Sequence, residues 1–336
     1  MIEPVLGRLA AGENLSLEEM SATIDSVMQG RCTPGEIGLL LVALREKGET
    51  VAEIAGAAAA LRRHMTPIRT LRTVVVDTCG TGGDASGTFN ISTAAALVTA
   101  AAGVPVAKHG NRSITSRSGS ADAFAALGVN IEADVRRVEA CLDQLGICFC
   151  FAPLLHPAMK AVAAVRKELG VPTIFNLLGP LSNPAGAPFQ LLGVGRRDLQ
   201  PVMAEALALL GIERALVVRG DDGLDEVTIA DATTLIEVDS GKLTTLIWRP
   251  EEFGVARQEL TPLKVSGPDQ SAELIRRVLA SEVGPARDIV LLNAAAALWA
   301  ARFKPTPQAC FEAAAHALDS RAAQELLAQL VKLSNA

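Results

Sequence analysis

Val74–Thr93, VVVDTCGTGGDASGTFNIST, is the stretch from which the rest of the chain is read. It opens with three β-branched residues, Val74, Val75 and Val76, which suit a buried strand. Gly80, Gly82 and Gly83 let the backbone turn sharply and leave amides uncovered by side chains. Asn90, Ser92 and Thr93 then precede Ala94–Ala102, a largely apolar run that favours helix. A helix start has unpaired N–H groups and partial positive charge, so strand, glycine loop and helix together outline a phosphate site. The stretch matches neither Gly-x-x-x-x-Gly-Lys-Ser/Thr nor Gly-x-Gly-x-x-Gly. Three glycines alone would be an ordinary tight turn. Asp84 and the cluster Thr88, Asn90, Ser92 and Thr93 move the reading towards phosphate.

From Thr73 onward strand-like runs alternate with helical ones: TVVVD, Ala94–Ala102, VPVAK, Ser120–Leu127, ICFCF, Pro157–Leu169, QLLGV, Gln200–Leu210 and RALVV. That alternation predicts an α/β domain with a mostly parallel sheet, whose ligands lie at the carboxyl ends of the strands. Residues 227–250 read as shorter antiparallel strands, and the tail from Asp288 as Ala-rich helix. Residues 1–70 read as helical throughout. Capping boxes mark three helix starts: Ser16 with Glu19, Thr33 with Glu36, Thr50 with Glu53. Pro34 stands at a first helical position, and Gly30 and Gly48 where helices stop. This region has no catalytic constellation and reads as a packing or dimerisation domain.

The 336 residues are 49% hydrophobic, enough for a substantial core, but only 3% aromatic, so Ala, Leu and Val must fill it. A net charge of -6 argues against a nucleic-acid or anionic-membrane surface. The first residues lack a basic start followed by an apolar core, so no secretory leader is expected. Ala85–Ala107 carries no charge, but Gly, Asn, Ser and Pro interrupt it, which reads as core rather than membrane span. Cys32, Cys79, Cys141, Cys148, Cys150 and Cys310 show no zinc spacing and read as reduced thiols of a cytoplasmic protein.

Three further constellations carry chemistry. Lys108–Ser120, KHGNRSITSRSGS, sets Lys108, Arg112 and Arg117 among Ser113, Thr115, Ser116, Ser118 and Ser120, a cradle of cations and hydroxyls suited to polyphosphate. Asp221–Glu226, DDGLDE, follows the strand RALVVRG. Taken alone it is an acidic turn; beside phosphates it suits Mg²⁺, which takes one or two carboxylates plus phosphate and water oxygens. Arg166, late in the helix ending at Gly170, is a surface cation unless it faces the cleft, where it would grip a carboxylate. His109 and His156 have no nucleophile partner and read as shaping residues.

GTGGD at 80–84, TFNIST at 88–93, KHGNR at 108–112, FNLLGPLSNPAG at 175–186 and DGLDE at 222–226 together resemble the anthranilate phosphoribosyltransferase family, over essentially the whole chain. The resemblance implies a small helical domain, residues 1–70 joined by 170–187, and an α/β domain, 71–336, with a cleft at the hinge. It implies a homodimer through the helical domains, and transfer of phosphoribose from phosphoribosyl pyrophosphate (PRPP) to the amine of anthranilate with Mg²⁺, as two ions. By position it assigns Gly80, Gly83, Asp84, Thr88, Asn90, Ile91, Ser92 and Thr93 to PRPP, with Lys108, His109, Gly110, Asn111, Arg112, Ser113, Ile114, Thr115, Ser116 and Ser120. Gly80, Asn111 and Arg166 would meet anthranilate, with Pro180 lining the aromatic pocket, and Ser92, Asp225 and Glu226 would hold metal. No general base is assigned. Two positions depart from the family's usual residues: Ala85 where Gly is usual, and Arg219 where His is common. The rival readings are a pyrimidine nucleoside phosphorylase and a non-catalytic nucleic-acid-binding relative. The acidic pair and second cradle argue against the first, and the acidic charge against the second.

Overall fold

The computed structural model describes residues 2–113 and 118–336. Four helices come first: α1 (Glu3–Ala10), α2 (Leu17–Met28), α3 (Pro34–Lys47) and α4 (Val51–Arg63). The starts of α2, α3 and α4 are the capping boxes expected. Ser16, Thr33 and Thr50 accept from the third-residue amides, and Glu19, Glu36 and Glu53 accept from the cap amides in return. Next come β1 (Val76–Gly80), α5 (Ile91–Ala101), β2 (Val106–Gly110), α6 (Ser120–Ala126), α7 (Val135–Leu145) and β3 (Ile147–Phe151). Then follow α8 (Ala152–Leu155), α9 (Lys160–Leu169), α10 (Phe175–Leu178), β4 (Phe189–Gly193), α11 (Leu199–Leu209), β5 (Arg214–Gly220), β6 (Thr233–Asp239) and β7 (Lys242–Trp248). The chain ends in α12 (Pro268–Leu279), α13 (Pro285–Ala300), α14 (Pro307–Asp319) and α15 (Ala322–Ser334).

The strands form one sheet in the order β3-β2-β1-β4-β5-β6-β7. The first five are parallel, and β5, β6 and β7 pair antiparallel. Ser240 (φ 50°) and Gly241 (φ 83°) turn the β6–β7 hairpin with two left-handed residues, as the twist of a two-residue turn requires. The chain fills β2 and β3 on one side of β1, then returns to fill β4 and β5 on the other. The carboxyl end of β1 is therefore the switch point where a ligand crevice opens.

Alternation along the strands builds two cores. Leu191, Leu216 and Val218 join the core around α5 and α13, while Leu192, Ala215 and Val217 join the core of α1–α4 and α11. Val162, Val165, Ile174, Phe175, Leu178 and Leu181 pack into that second core, so the 162–181 segment lies against the helical bundle. On the opposite face α5 meets α13. Ala94, Ala95 and Ala96 and, on α13, Ala294, Ala295, Ala296 and Ala297 are fully buried, and such small side chains allow close helix approach.

Two elements differ from the sequence expectation. β1 begins at Val76, not Val74, and runs through Asp77, Thr78 and Cys79 because it stays paired with β4 to Gly80↔Gly193. The single helix expected over Pro157–Leu169 is a 3₁₀ turn, Pro157–Met159, followed by α9. His156 breaks from helical geometry (φ −119°, ψ 64°) at the point where its ring pairs with His109. Among the described residues no helix is long and apolar enough to cross a membrane.

Candidate active site

The loop after β1 is shaped by left-handed residues: Gly82 (φ 66°), Gly83 (φ 84°), Ala85 (φ 55°) and Gly87 (φ 69°). Three are the residue that takes this conformation freely; Ala85 takes it at a cost of about 1–2 kcal/mol. Beyond the loop Asn90 caps α5. Its Oδ1 accepts from the Thr93 amide at 3.0 Å and from Ser92 Oγ at 3.3 Å. Ile91 and Thr93 point into the core, 2% and 0% exposed, so only their backbone faces the loop. Ser86 Oγ and Thr88 Oγ1 lie 3.1 Å apart on the loop's outer limb.

Asp225 is wedged between two glycines. A methyl at Gly193 would overlap the Asp225 carbonyl oxygen, and one at Gly80 would lie 2.9 Å from Asp225 Oδ2. Those absent side chains let the acidic loop after β5 sit against the carboxyl ends of β1 and β4. Thr81 N–H donates to the Gly193 carbonyl at 2.9 Å, and Gly195 closes on the backbone of Gly82 and Asp84. Sequence reasoning did not single out Gly193 and Gly195; the Gly-Val-Gly ending of QLLGVG was the available sign. Burial, with the charge of Asp84 beside it, pushes the Asp225 carboxyl up to about 7. Burial and Asp225 push Glu226 well above its usual range, partly offset by Lys108.

On the other flank lies a buried polar network. Lys108 is 1% exposed and donates to the Thr78 carbonyl and, at 3.0 Å, to Ser92 Oγ. Burial lowers its pKa, opposed by Asp77, Cys79, Glu226 and Asp225. His109 contributes its amide to Asp77 Oδ1 at 3.1 Å. Its ring turns away from the glycine loop: Nδ1 lies 3.1 Å from the Gly179 carbonyl and Nε2 3.1 Å from His156 Nε2. Burial, first, holds His109 at about 3 and His156 at about 4, so both rings are neutral at pH 7. Asn183 Nδ2 donates to the Ala107 carbonyl at 2.8 Å. Gln190 Nε2 donates to the Pro180 carbonyl at 2.6 Å and lies 3.1 Å from Cys79 Sγ. Burial raises the Cys79 thiol well above its ordinary value, which removes it as a nucleophile.

The second loop is only partly gathered to this centre. Gly110 is required because Ser120 Oγ and the Phe149 ring fill the space of a side chain. Asn111 Oδ1 accepts from the Arg112 amide at 2.8 Å. Arg112 is held by Asp122 at 3.2 Å and lies 5.9 Å over Phe151; the Ser113 amide also donates to Asp122, at 2.9 Å. Ile114, Thr115 and Ser116, with Arg117, lie outside the described residues. Arg166, half-buried on α9, reaches Asn176 Oδ1 at 3.4 Å and lies 5.7 Å over the Phe175 ring, beside the stretch that leads to Gly179 and Pro180.

Against known proteins, the family described as "Glycosyl transferase family, a/b domain" matches residues 72–324, and "Glycosyl transferase family, helical bundle domain" matches residues 3–65. Anthranilate phosphoribosyltransferase of Rhodopirellula baltica is 49% identical over 96% of this chain and 94% of that protein. The chain belongs to the anthranilate phosphoribosyltransferase family. The crystal structure of the Thermus thermophilus anthranilate phosphoribosyltransferase superposes with a TM-score of 0.92 at 44% identity, covering 98% of this chain and 99% of that one. The Saccharomyces cerevisiae anthranilate phosphoribosyltransferase, solved in complex with PRPP and Mg, gives 0.89 at 29%, covering 99% and 98%.

Both departures from the anthranilate phosphoribosyltransferase pattern now have a physical description. Ala85 keeps the left-handed backbone that glycine would take freely. Arg219 donates to the carbonyls of Gly195, at 3.3 Å, and Gly220, at 3.1 Å, bracing the acidic loop against the end of β4. Among the described residues no three His, Cys, Asp or Glu side chains converge closely enough to enclose a metal by themselves. Mg²⁺ needs no such cage when phosphate supplies the other oxygens. The donor set fits it: Asp225, raised by burial and by Asp84, Glu226, raised by burial and by Asp225, and Asp84 Oδ2, which has no donor unless Asp225 carries a proton.

Proposed function

We propose that this chain transfers the phosphoribosyl group of PRPP to the amine of anthranilate, releasing pyrophosphate, as the Mg²⁺-dependent phosphoribosyl transfer of tryptophan biosynthesis. One observation carries the reading. The glycine loop, the capped start of α5 and the acidic Asp225–Glu226 loop meet at the carboxyl end of β1, where only glycines at 80 and 193 let them touch. A phosphate ester with its cation is the chemistry such a junction recognises.

In this reading Gly80, Gly83, Asp84, Thr88 and the Asn90–Thr93 turn hold PRPP, with Lys108 beneath them and Asn111–Ser113 and Ser120 on the second side. Ser92, Asp225 and Glu226 would hold Mg²⁺, as two ions, whose charge would offset that of the departing diphosphate. Lys108, buried against Ser92, aims a hydrogen-bond donor at the turn where water cannot compete. Arg166 and Asn111 orient the anthranilate carboxylate and ring beside Pro180, so that the amine faces C1 of the ribose. Positioning supplies much of the acceleration. The amine of anthranilate is neutral at pH 7, so attack on a C1 with oxocarbenium character needs no strong base. His109 and His156 fit that economy: each is neutral, the two rings bond to each other, and His109 also bonds the Gly179 carbonyl. The His109 ring thus acts as a wall behind the pocket rather than as a phosphate ligand. A cytoplasmic homodimer docked through α1–α4 completes the reading.

The test is loss of anthranilate fluorescence on mixing protein, PRPP and Mg²⁺, with EDTA as control. A decay needing all three components is the expected result. No decay with anthranilate, but release of base from uridine or thymidine by inorganic phosphate, would replace this reading with the phosphorylase one.

A further inference from the structure

A cavity of about 210 Å³ adjoins the acidic loop, Lys108 is not among its lining residues, and its third wall is a segment that no assigned motif contains. Asp84 and Ser86 line it from the glycine loop, Asp222 from the acidic loop, and Thr261 and Lys264 from the chain between β7 and α12. That chain is strapped to the glycine loop. Phe89 N–H donates to the Leu263 carbonyl at 2.8 Å and Val265 N–H to the Gly87 carbonyl at 2.9 Å, around an antiparallel Thr88–Lys264 bridge. Alternation fixes the side chains of the strap. Leu263 (0% exposed) and Val265 (5%) enter the core, so Lys264 between them projects the opposite way, into the cavity wall.

Two groups that line this cavity, Lys264 and Asp84, are not paired with each other. The Lys264 ammonium has no hydrogen bond or ion pair among the described residues, although Asp84 and Asp222 share its cavity. Asp222 is already committed to the Leu224 amide at 3.1 Å and to Thr228 Oγ1 at 2.6 Å. Asp84 Oδ2 is buried without a donor. A cation and a carboxylate that line one cavity without pairing leave room for an occupant that meets both, such as a phosphate group that brings its own divalent cation.

We propose that Lys264 is a diphosphate contact, gripping the diphosphate of PRPP, and the pyrophosphate released from it, from the strap between β7 and α12. The inference rests on the proposed reaction. The cavity borders the Asp222–Leu224 turn, two residues from the acidic pair, and does not include the capped start of α5. It therefore belongs to the diphosphate end of the donor rather than to its 5-phosphate. The strap makes the contact responsive: any movement of residues 87–89 carries Lys264 with it through two backbone bonds.

Calorimetric titration tests this without turnover. Wild type, Lys264→Ala and Lys264→Arg are titrated with pyrophosphate in Mg²⁺ and, separately, with ribose 5-phosphate. The exposed position of Lys264 makes both variants foldable, which a melting curve verifies. Lys264→Ala should weaken pyrophosphate binding about fivefold, as expected for one partly solvated charge-assisted contact. It should leave ribose 5-phosphate unchanged, and Lys264→Arg should restore most of the loss. In the anthranilate assay the same variant should raise the KM for PRPP and leave that for anthranilate alone. Equal pyrophosphate affinity in wild type and Lys264→Ala, or a loss confined to ribose 5-phosphate, overturns the assignment while the reaction stands. A wild type that binds no pyrophosphate sinks both.

Discussion

The two flanks of β1 reach the same accuracy by opposite means. Towards β4 and β5 the site depends on atoms that are absent: without side chains at Gly80 and Gly193 the Asp225 loop rests directly on the strand ends. Towards β2 and β3 it depends on polar atoms that are present and paired. Lys108 bonds Thr78 and Ser92, His109 bonds Gly179 and His156, and Asn183 bonds Ala107. An interface set by missing volume is broken by adding a methyl group, and its raised carboxyls, Asp225 at about 7 and Glu226, favour the fold as pH falls. A buried polar network is broken by deleting one partner and is sensitive to acid, because the buried His109 and His156 rings must stay neutral.

The largest test of this contrast is Gly193→Ala. The added carbon has only backbone to displace, so the Asp225 loop must lift away. Turnover should fall by more than about 100-fold, as expected when catalytic groups move by about 1 Å. Activity within a fewfold of wild type would show that the flank is compliant after all. Next in size is the acid response of the polar flank. Unfolded histidines take up protons near pH 6.5, whereas His156 and His109 resist until about 4 and about 3. Between pH 6.5 and 4 these two histidines bind more protons in the unfolded chain, so their own contribution to stability falls as pH falls, by up to about 1.4 kcal/mol per pH unit for each group. Denaturant melts across that window should show wild type losing stability relative to His156→Asn as pH falls, the raised Asp225 and Glu226 carboxyls shifting both proteins alike. An unchanged slope would break the comparison on this side.

Smaller effects sharpen it on the glycine side. Gly83→Ala meets open space but keeps φ at 84°, so it should cost only about 1–2 kcal/mol, a drop in Tm of a few degrees, with the fold intact. A loss larger than that of Gly193→Ala would mean that conformation, not clearance, rules both glycine runs. Smallest is Ala85→Gly. Relief of the left-handed strain and the extra freedom of the unfolded chain oppose each other at about 1 kcal/mol each, so Tm should move by about 2 °C or less.

The sequence was most legible where one residue type has one use. The capping boxes gave three helix starts because Ser16, Thr33 and Thr50 each had a Glu three residues on. The glycine loop and the DGLDE turn were legible as candidate phosphate and metal loops because acids and glycines concentrate at strand ends, and the structure sets the two against each other. What stayed hidden depends on contacts across the sheet. Gly193 looks like any strand-end glycine until Asp225 is laid upon it. Lys264 is one surface lysine among many until the strap ties it to Thr88. His109 sits within the KHGNR stretch, and nothing in the chain order says that its ring faces His156, 47 positions away.

The alanine faces between α5 and α13 have a consequence of their own. They contribute no chemistry of their own, yet as the buried packing around α5 they set how deeply it is seated and hence where Asn90 and Ser92 stand above β1. They behave as a shim whose thickness is one methyl group. Thickening it at Ala94, Ala95 or Ala96 would slide a rigid rod, and the whole phosphate turn would travel with it. The dimensional tolerance of the reaction centre is thus inherited from the smallest side chains behind it, and drift in the chain is free mainly where it leaves that clearance alone.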